Sequence, residues 1–263
     1  MKIIVIANAK GGVAKTTTAL HLAVGFADLG LRTVAIDMDP QGTLSQQLGV
    51  QATDIPTVRE VLVDGKPPRE VLIAVRPHLQ LLPANILLAD ADLALSQLHA
   101  SDLRLRRALQ GLSADLVVID VPPSIGKLTV NALVAADGFI APIDSEIYAM
   151  MGLQLLFRTV ETVREYFNPH LRFLGPLLTM AEGRTIVTRV VEEELRAQYP
   201  ETFTTVIRKS QRTKEAAMSG QTLYDIAGTT AGADYRALVR EVLARLGDDT
   251  TASPDLTPFM ERR

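Results

Sequence analysis

The stretch Lys10-Gly11-Gly12-Val13-Ala14-Lys15-Thr16-Thr17 constrains this chain more than any other. It follows Ile3-Ile4-Val5-Ile6-Ala7, an apolar run rich enough in β-branched side chains to form a buried strand. It precedes residues 18–29, where Leu20, Ala23, Val24 and Ala27 recur at helical spacing. A strand, a glycine turn and a helix N-terminus in series make a phosphate cradle. The N–H groups of the turn and the positive end of the helix dipole face the anion. Gly11, Gly12, Val13, Ala14, Lys15, Thr16 and Thr17 are therefore the expected phosphate-binding residues. Within them, Lys15 is placed to reach the terminal phosphates and the Thr16 hydroxyl to bind Mg²⁺.

The general pattern G-x-x-x-x-G-K-[ST] is not met, because its two glycines would fall at Ala9 and Ala14. The chain follows a variant, K-G-G-x-x-K-T-T, with a second lysine, Lys10, at the start of the turn. In this it resembles the deviant Walker A box of the ParA/MinD family of ATPases, and within that family the small Soj-like partition members. The resemblance implies ATP and Mg²⁺ as cofactors. It also implies that Lys10 reaches across a homodimer to the nucleotide of the partner, so that Lys10 and Lys15 are both catalytic. The usual family residue at position 14 is glycine. Alanine resists a positive φ, so the local backbone at Ala14 is where a departure is expected.

Two more boxes follow at strand ends. Thr33-Val34-Ala35-Ile36-Asp37 reads as a strand, and Asp37-Met38-Asp39-Pro40-Gln41-Gly42 resembles the family's D-x-D-P-Q-G segment. Acids at the carboxyl end of a parallel strand sit where such sheets bind ligands. The resemblance gives Asp39 the positioning of the attacking water and sets Asp37 near the Mg²⁺ hydration shell; both acids would also serve as plain turn formers ahead of Pro40. Leu116-Val117-Val118-Ile119-Asp120 has the form of a Walker B strand, with Asp120 holding Mg²⁺ through a water. Val121-Pro122-Pro123-Ser124 resembles the family's D-x-P-P switch.

Elsewhere the pattern is α/β. Thr57-Val58-Arg59-Glu60 has the form of a capping box and opens a short helix through Val63. Residues 65–68 read as a turn and 79–83 as a short strand ended by proline. Residues 86–112 carry Leu, Ala and Ile at mixed helical spacing, which predicts one or two helices; Arg104, Arg106 and Arg107 fall there and receive no role. Residues 131–137, 138–143, 152–166, 171–179 and 204–207 read as helix, strand, helix, strand and last strand. The segments from Glu146, from Thr179 and from Glu215 resemble the family's E-Y-x-A-x-x-G, T-M-x-x-x-R-T and E-A-x-x-x-G. The whole predicts a doubly wound, mostly parallel sheet with helices on both faces, of P-loop NTPase type, in one domain over 1–246. Residues 247–263, with Pro254, Pro258 and mixed charge, are expected to be a disordered tail.

Charge and composition narrow the function. The 263 residues carry a net charge of −3, so any nucleic-acid contact must come from a local patch. Arg208, Lys209, Arg212 and Lys214 lie in a stretch without an acid and are the DNA-binding candidates, with Arg184 and Arg189 beside them. Cysteine is absent, which excludes an iron–sulfur ATPase. No apolar run is long enough to span a membrane, and the first five apolar residues are too few for a signal peptide. A cytoplasmic, nucleoid-associated protein is expected. The resemblance then implies an ATP-dependent sandwich dimer that binds DNA without sequence preference and segregates chromosome or plasmid DNA with a ParB-like, hydrolysis-stimulating partner. The short stretch ahead of the first strand leaves no room for the helix-turn-helix domain of larger family members, so site-specific operator binding is not expected. Alternatives are an ATPase that positions a protein organelle of the carboxysome kind, a MinD-like membrane-cycling ATPase, and a dethiobiotin synthetase-like metabolic enzyme. The MinD-like reading needs a basic amphipathic C-terminal helix, which the acidic, proline-broken tail lacks.

Overall fold

A computed structural model describes residues 1–146, 151–183 and 185–247. The expected tail beyond residue 247, Arg184 and the Ile147-Tyr148-Ala149 part of one family segment lie outside the described residues. Seven strands form one sheet: β1 (Lys2–Ile6), β2 (Thr33–Asp37), β3 (Ile73–Arg76), β4 (Leu79–Leu82), β5 (Leu116–Asp120), β6 (Gly138–Asp144) and β7 (Arg172–Thr179). Their order is β3-β4-β2-β5-β1-β6-β7, and every pairing is parallel except that of the edge strand β3 with β4. The helices are α1 (Lys15–Asp28), α2 (Thr43–Gln47), α3 (Val58–Leu62), α4 (Ala91–Ser96), α5 (Arg104–Ala108), α6 (Lys127–Ala135), α7 (Met151–Tyr166), α8 (Ile186–Gln198), α9 (Arg212–Met218) and α10 (Thr230–Gly247).

Period-two alternation divides each central strand between two cores. On one face Ile3, Val5, Val117 and Ile119 pack with side chains of α3 to α8; on the other Ile4, Ile6, Leu116 and Val118 meet α1 and α10. Both faces are covered, as parallel strands require. The register of the centre is level: Ile6 stands opposite Asp120, and Asp37 opposite Asp120 on its other side. The loops leaving β1, β2 and β5 therefore emerge side by side at one rim.

One reading from sequence needs correction. Residues 204–207 form no strand, although Phe203 and Ile207 donate to the β7 carbonyls of Pro176 and Leu178. The N–H groups of Thr204 and Thr205 go instead to the Glu241 carboxylate of α10 (2.8 and 3.0 Å), which lifts the segment off the sheet and leaves a single bridge, Ala181 to Arg208. Residues 86–112 hold two helices, α4 and α5, as expected, but both are short and the rest is a chain of turns. A 3₁₀ turn, Ile86–Asp90, is capped by the Asn85 side chain and runs into α4, and Ala100 (φ 51°) turns left-handed before a second 3₁₀ turn leads to α5. The capping box at Thr57 is present, with Glu60 accepting from the Thr57 N–H at 2.6 Å. The strand at 79–82 is also present.

The helix after the loop is locked through a histidine. His21 Nδ1 lies 2.7 Å from the Thr17 carbonyl, and Nε2 accepts from the Leu223 N–H at 3.0 Å, which defines the neutral tautomer with the proton on Nδ1. The ring stacks on Tyr235 at 4.5 Å. Burial pushes the His21 pKa down from 6.5 to about 4, against the Thr17 carbonyl, which favours the charged form. The neutral form is thus favoured in the folded state. The resulting stability is present above pH 6.5 and is lost as pH falls from 6.5 towards 4, by on the order of 3 kcal/mol over the window. His21→Asn cannot reach Leu223 and does not titrate. Urea unfolding should therefore show a stability gap between the two proteins that is widest near pH 7.5 and shrinks steadily towards pH 4; a pH-independent gap would contradict this assignment.

Candidate nucleotide site

The loop between β1 and α1 carries its curvature in two left-handed residues. Gly12 has φ 78°, and Ala14, the N-cap of α1, has φ 62° and ψ 31°. The departure at position 14 is therefore accommodated by strain rather than by a changed loop, at about 1–2 kcal/mol for a residue with a Cβ. Neighbours hold the shape. The Thr179 hydroxyl at the end of β7 lies 3.2 Å from the Val13 carbonyl and 3.0 Å from that of Ile143. Asn8 accepts from the Lys10 N–H (3.0 Å) and donates to the Pro142 carbonyl (2.7 Å).

Beside the loop, the carboxyl ends of β2 and β5 supply the acids. Asp37 is buried and its oxygens are occupied: Oδ2 accepts from the Ser45 N–H and hydroxyl, both at 2.8 Å, and Oδ1 from the Asp39 N–H at 3.1 Å. Desolvation raises its pKa to about 6 in spite of those donors. Asp39 uses Oδ1 to close the turn, accepting from the Gln41 N–H at 2.9 Å, so the turn-forming reading of this residue holds alongside its place in the cavity wall. Gly42 (φ 62°) follows, and a Cβ there would lie 2.9 Å from the Ala84 carbonyl oxygen.

Asp120 is the exception. It is fully buried, and neither carboxylate oxygen has a hydrogen-bond partner among the described residues. Desolvation, then the charge of Asp37, hold its pKa well above the usual carboxylate range, with Thr16 and Lys15 opposing. A buried acid with both oxygens open, beside a threonine hydroxyl, fits Mg²⁺, which keeps most of its waters and takes one or two carboxylates together with substrate phosphates. No group of three or more acidic or imidazole side chains forms a complete metal cage among the described residues. Thr16 and Asp120 are thus the residues that would hold the ion, with Asp37 adjacent to them.

The two lysines of the loop point to different places. Lys15 is buried, donates to the Lys10 carbonyl at 2.8 Å, and lines the cavity; burial lowers its pKa while Asp120 and Asp39 oppose the fall. Lys10 does not line that cavity. Its ammonium is clamped by Asp144 Oδ2 (2.7 Å) and Glu146 Oε2 (2.6 Å), neither of which lines the cavity. Partial burial works against the charge, but the two carboxylates raise the Lys10 pKa overall.

The cavity, of about 570 Å³, has the loop, Asp39, Thr43 and Gln47 on one side and the segment from Ile207 to Lys214 on the other. Three of the four basic candidates are not free cations. Arg208 pairs with Asp234 (2.6 Å), Lys209 with Glu182, and Arg212 with Glu215 (2.8 Å). Lys214 has no ion pair among the described residues, and Arg189 pairs with Glu193 at 3.7 Å. Arg212 and Lys214 lie on α9 rather than in a loop, while Arg208, Lys209 and Lys214 border the nucleotide cavity itself. The sequence reading did not anticipate Asn8, Thr43 or Asp144, and it singled out Thr179 and Met180 as the start of a family segment without placing them at this site. Of the first three, only Asp144, an acid closing a strand, carried a visible signal.

The AAA domain family matches residues 1–173. The chromosome-partitioning ATPase Soj of Thermus thermophilus is 44% identical over 247 residues, which is 92% of this chain and 96% of that protein. The chromosome partitioning protein ParA of Myxococcus xanthus is 39% identical over 260 residues, covering 96% of this chain and 90% of its own. Among solved structures, cobyrinic acid a,c-diamide synthase from Mycobacterium smegmatis with bound ADP and magnesium has a TM-score of 0.84 and 31% identity, covering 97% of this chain and 99% of that one.

The strain at Ala14 is measurable. Ala14→Gly removes it while loosening the unfolded chain, so its effect on stability should lie between zero and a gain of about 1 kcal/mol. Ala197→Gly, at an exposed position in α8, should instead cost about 1 kcal/mol. Urea denaturation of the two variants checks the contrast, and an equal loss in both would mean that Ala14 is unstrained.

Proposed function

The chain belongs to the ParA/MinD family of ATPases, among its Soj-like partition members, and from that premise we propose that it is an ATP-driven dimer that carries DNA cargo. The observation that carries the proposal is the division of labour between the two lysines. Lys15 serves the cavity of its own chain, whereas Lys10 is held outside it by Asp144 and Glu146. A cation that contributes nothing to its own site yet stands on the same loop suits a site completed from a second chain. In this reading two chains close face to face on ATP, and Lys10 exchanges its carboxylates for the partner's phosphates. Only one member of each ion pair is well buried or neither is, so the exchange costs between the ~1 kcal/mol of an exposed pair and the ~3–5 kcal/mol of a buried one.

Hydrolysis then needs mainly positioning and charge. The loop N–H groups and Lys15 hold the phosphates. Asp39, with one oxygen fixing its own turn, has the other available to orient a water for attack. Mg²⁺, when bound through Thr16 and Asp120, neutralises phosphate charge. Because the second lysine arrives with the partner, turnover waits on dimerisation, which makes a slow timer that a ParB-like adaptor accelerates. The reading carries with it a cytoplasmic, nucleoid-associated protein. Among the described residues no helix is long and apolar enough to cross a membrane.

The name of the structural relative invites a second, metabolic reading as an amide-forming synthase. The higher identity of the partition relatives over the same span favours partition, and so does Lys10, which a self-contained synthetase site does not need. Turnover that is independent of protein concentration would favour the synthase.

Two outcomes are expected. Lys10→Ala should bind ATP through Lys15 but lose ATP-dependent dimerisation in sedimentation, with turnover down on the order of 10²-fold or more. Asp39→Ala should dimerise and stall, also losing roughly 10²-fold or more in rate. A Lys10→Ala protein that dimerises like wild type would remove the basis of the proposal.

DNA contact is proposed for Arg208, Lys209, Arg212 and Lys214. The pairs of Lys209 and Arg212 are exposed on both sides and so hold them weakly, and Lys214 has no ion pair among the described residues, which leaves these three able to meet a phosphate; Arg208 would have to leave Asp234, whose side chain is largely buried. Because Arg208, Lys209 and Lys214 border the nucleotide cavity, nucleotide and DNA affinity would be coupled. Replacing Arg212 and Lys214 by Ala should weaken binding about equally for unrelated duplexes and flatten the log–log salt slope by roughly 0.9 per lost contact, with dimerisation intact. Gel shifts at several salt concentrations, with and without ATP, measure this; unchanged affinity would move the interface elsewhere.

A further inference from the structure

Arg104 and Arg107, two of the three arginines left without a role by the sequence, help to build a second cavity. It measures about 710 Å³ and lies between the loop after α3, Gln80 of β4, α5 and the turn ahead of β5. It shares no lining residue with the nucleotide cavity. Lys66, Arg69, His99, Arg104 and Arg107 line it, and no carboxylate does so among the described residues.

The four cations among them, Lys66, Arg69, Arg104 and Arg107, are also unneutralised among the described residues. Other arginines of this chain sit on acids: Arg32 on Asp115, Arg59 on Asp90, Arg76 on Asp225. None of the four forms an ion pair among the described residues. Acids close by in sequence are engaged elsewhere, Asp64 with Arg59 and Asp102 with Lys127. Glu70, next to Arg69, does not line the cavity. In a chain of net charge −3, this gathers positive charge in one concavity, which focuses the field on whatever enters. The site is also partly preformed. Arg104 is half-buried, with its Nη1 3.4 Å from the Val63 carbonyl, and the wall between the cations is apolar, with Val61, Leu72 and Leu112.

We propose that this cavity binds a small organic phosphate, a compact body carrying two or more phosphate charges, as an effector separate from ATP. Concavity and size favour such a ligand over nucleic acid. Small-molecule sites are clefts of roughly 300–1,000 Å³ with apolar walls and a few placed polar groups. A duplex is convex and meets cations that stand out from a surface. Arginine supplies the planar fork for phosphate oxygens, and Lys66 a point charge. The inference does not depend on the partition reading, since it uses none of the residues of the nucleotide site.

The test uses the full chain with its nucleotide cavity filled by a non-hydrolysable ATP analogue and Mg²⁺. Inorganic pyrophosphate and adenosine 3′,5′-bisphosphate are titrated calorimetrically into wild type, Arg104→Gln/Arg107→Gln, and Arg107→Gln alone. Arg107 is exposed, so the single variant keeps the fold if the double does not. Saturable binding of one probe molecule per chain is expected, tighter for the bisphosphate. The double variant should lose about tenfold or more and the single variant part of that, with ATP hydrolysis unchanged in both. No saturable binding to wild type, equal affinity in the variants, or a bisphosphate no tighter than pyrophosphate would overturn the proposal. So would loss of DNA affinity in the variants without any effect on the probes, which would make the cavity part of a DNA surface.

Discussion

Three buried strands end level with one another, and the site depends on that. Ile6, Asp37 and Asp120 stand in register across β1, β2 and β5, so three loops leave the sheet at one height and within reach of one ligand. Parallel pairing enforces this, because each strand must be re-entered from the same end and each crossover helix returns the chain to start again. The apolar residues of these strands serve the site indirectly. By burying both faces they hold the register, and a one-residue slip would turn an acid from the rim to a core face.

The same register creates an electrostatic problem that the ligand is suited to solve. Asp37 and Asp120 are buried neighbours; burial makes the charge of each harder to keep, and Asp37 adds to that at Asp120. Asp37 is relieved by three hydrogen bonds from Ser45 and Asp39, whereas Asp120 has none among the described residues. Buried polar groups left open in this way mark a place for a further partner. Lys15, its charge disfavoured by burial, stands close enough for Asp120 and Asp39 to act on it. Phosphate for the lysine and a divalent cation for the acid satisfy both groups together, and neither ligand would do so alone.

Much of this was legible in the sequence because it is local. The loop, the two acid-ended strands and the helix after Lys15 each announce themselves within a dozen residues. The 33–37 and 116–120 strands were read to the residue, being β-branched runs buried on both faces. What escaped was non-local. Lys10 meets Asp144 across 134 positions, and Glu241 takes the N–H groups of Thr204 and Thr205 from α10, undoing a strand that propensity alone supports. The acid-free stretch from Arg208 looked like unpaired charge, yet Asp234 and Glu182 reach it from other elements. Residues 86–112 were legible only in part, for the opposite reason: the apolar spacing is helical and two helices form, but Asn85 and Ala100 cut the stretch into pieces whose bounds a periodicity cannot resolve.

The central claim is that Lys10 acts on the nucleotide of a second chain. Mixing two inactive proteins, Lys10→Ala and Asp39→Ala, tests it most directly. In a mixed two-fold dimer the Lys10→Ala chain offers an intact Asp39 and cradle, and the Asp39→Ala chain offers an intact Lys10, so one of the two sites is complete. Mixing equal amounts should restore ATP hydrolysis well above the rate of either variant alone, up to a ceiling of about half the wild-type rate, because each mixed dimer has one complete site of two. If Lys10 serves its own chain instead, no site in the mixture is complete, and a rate that stays at the level of the separate variants would contradict the claim.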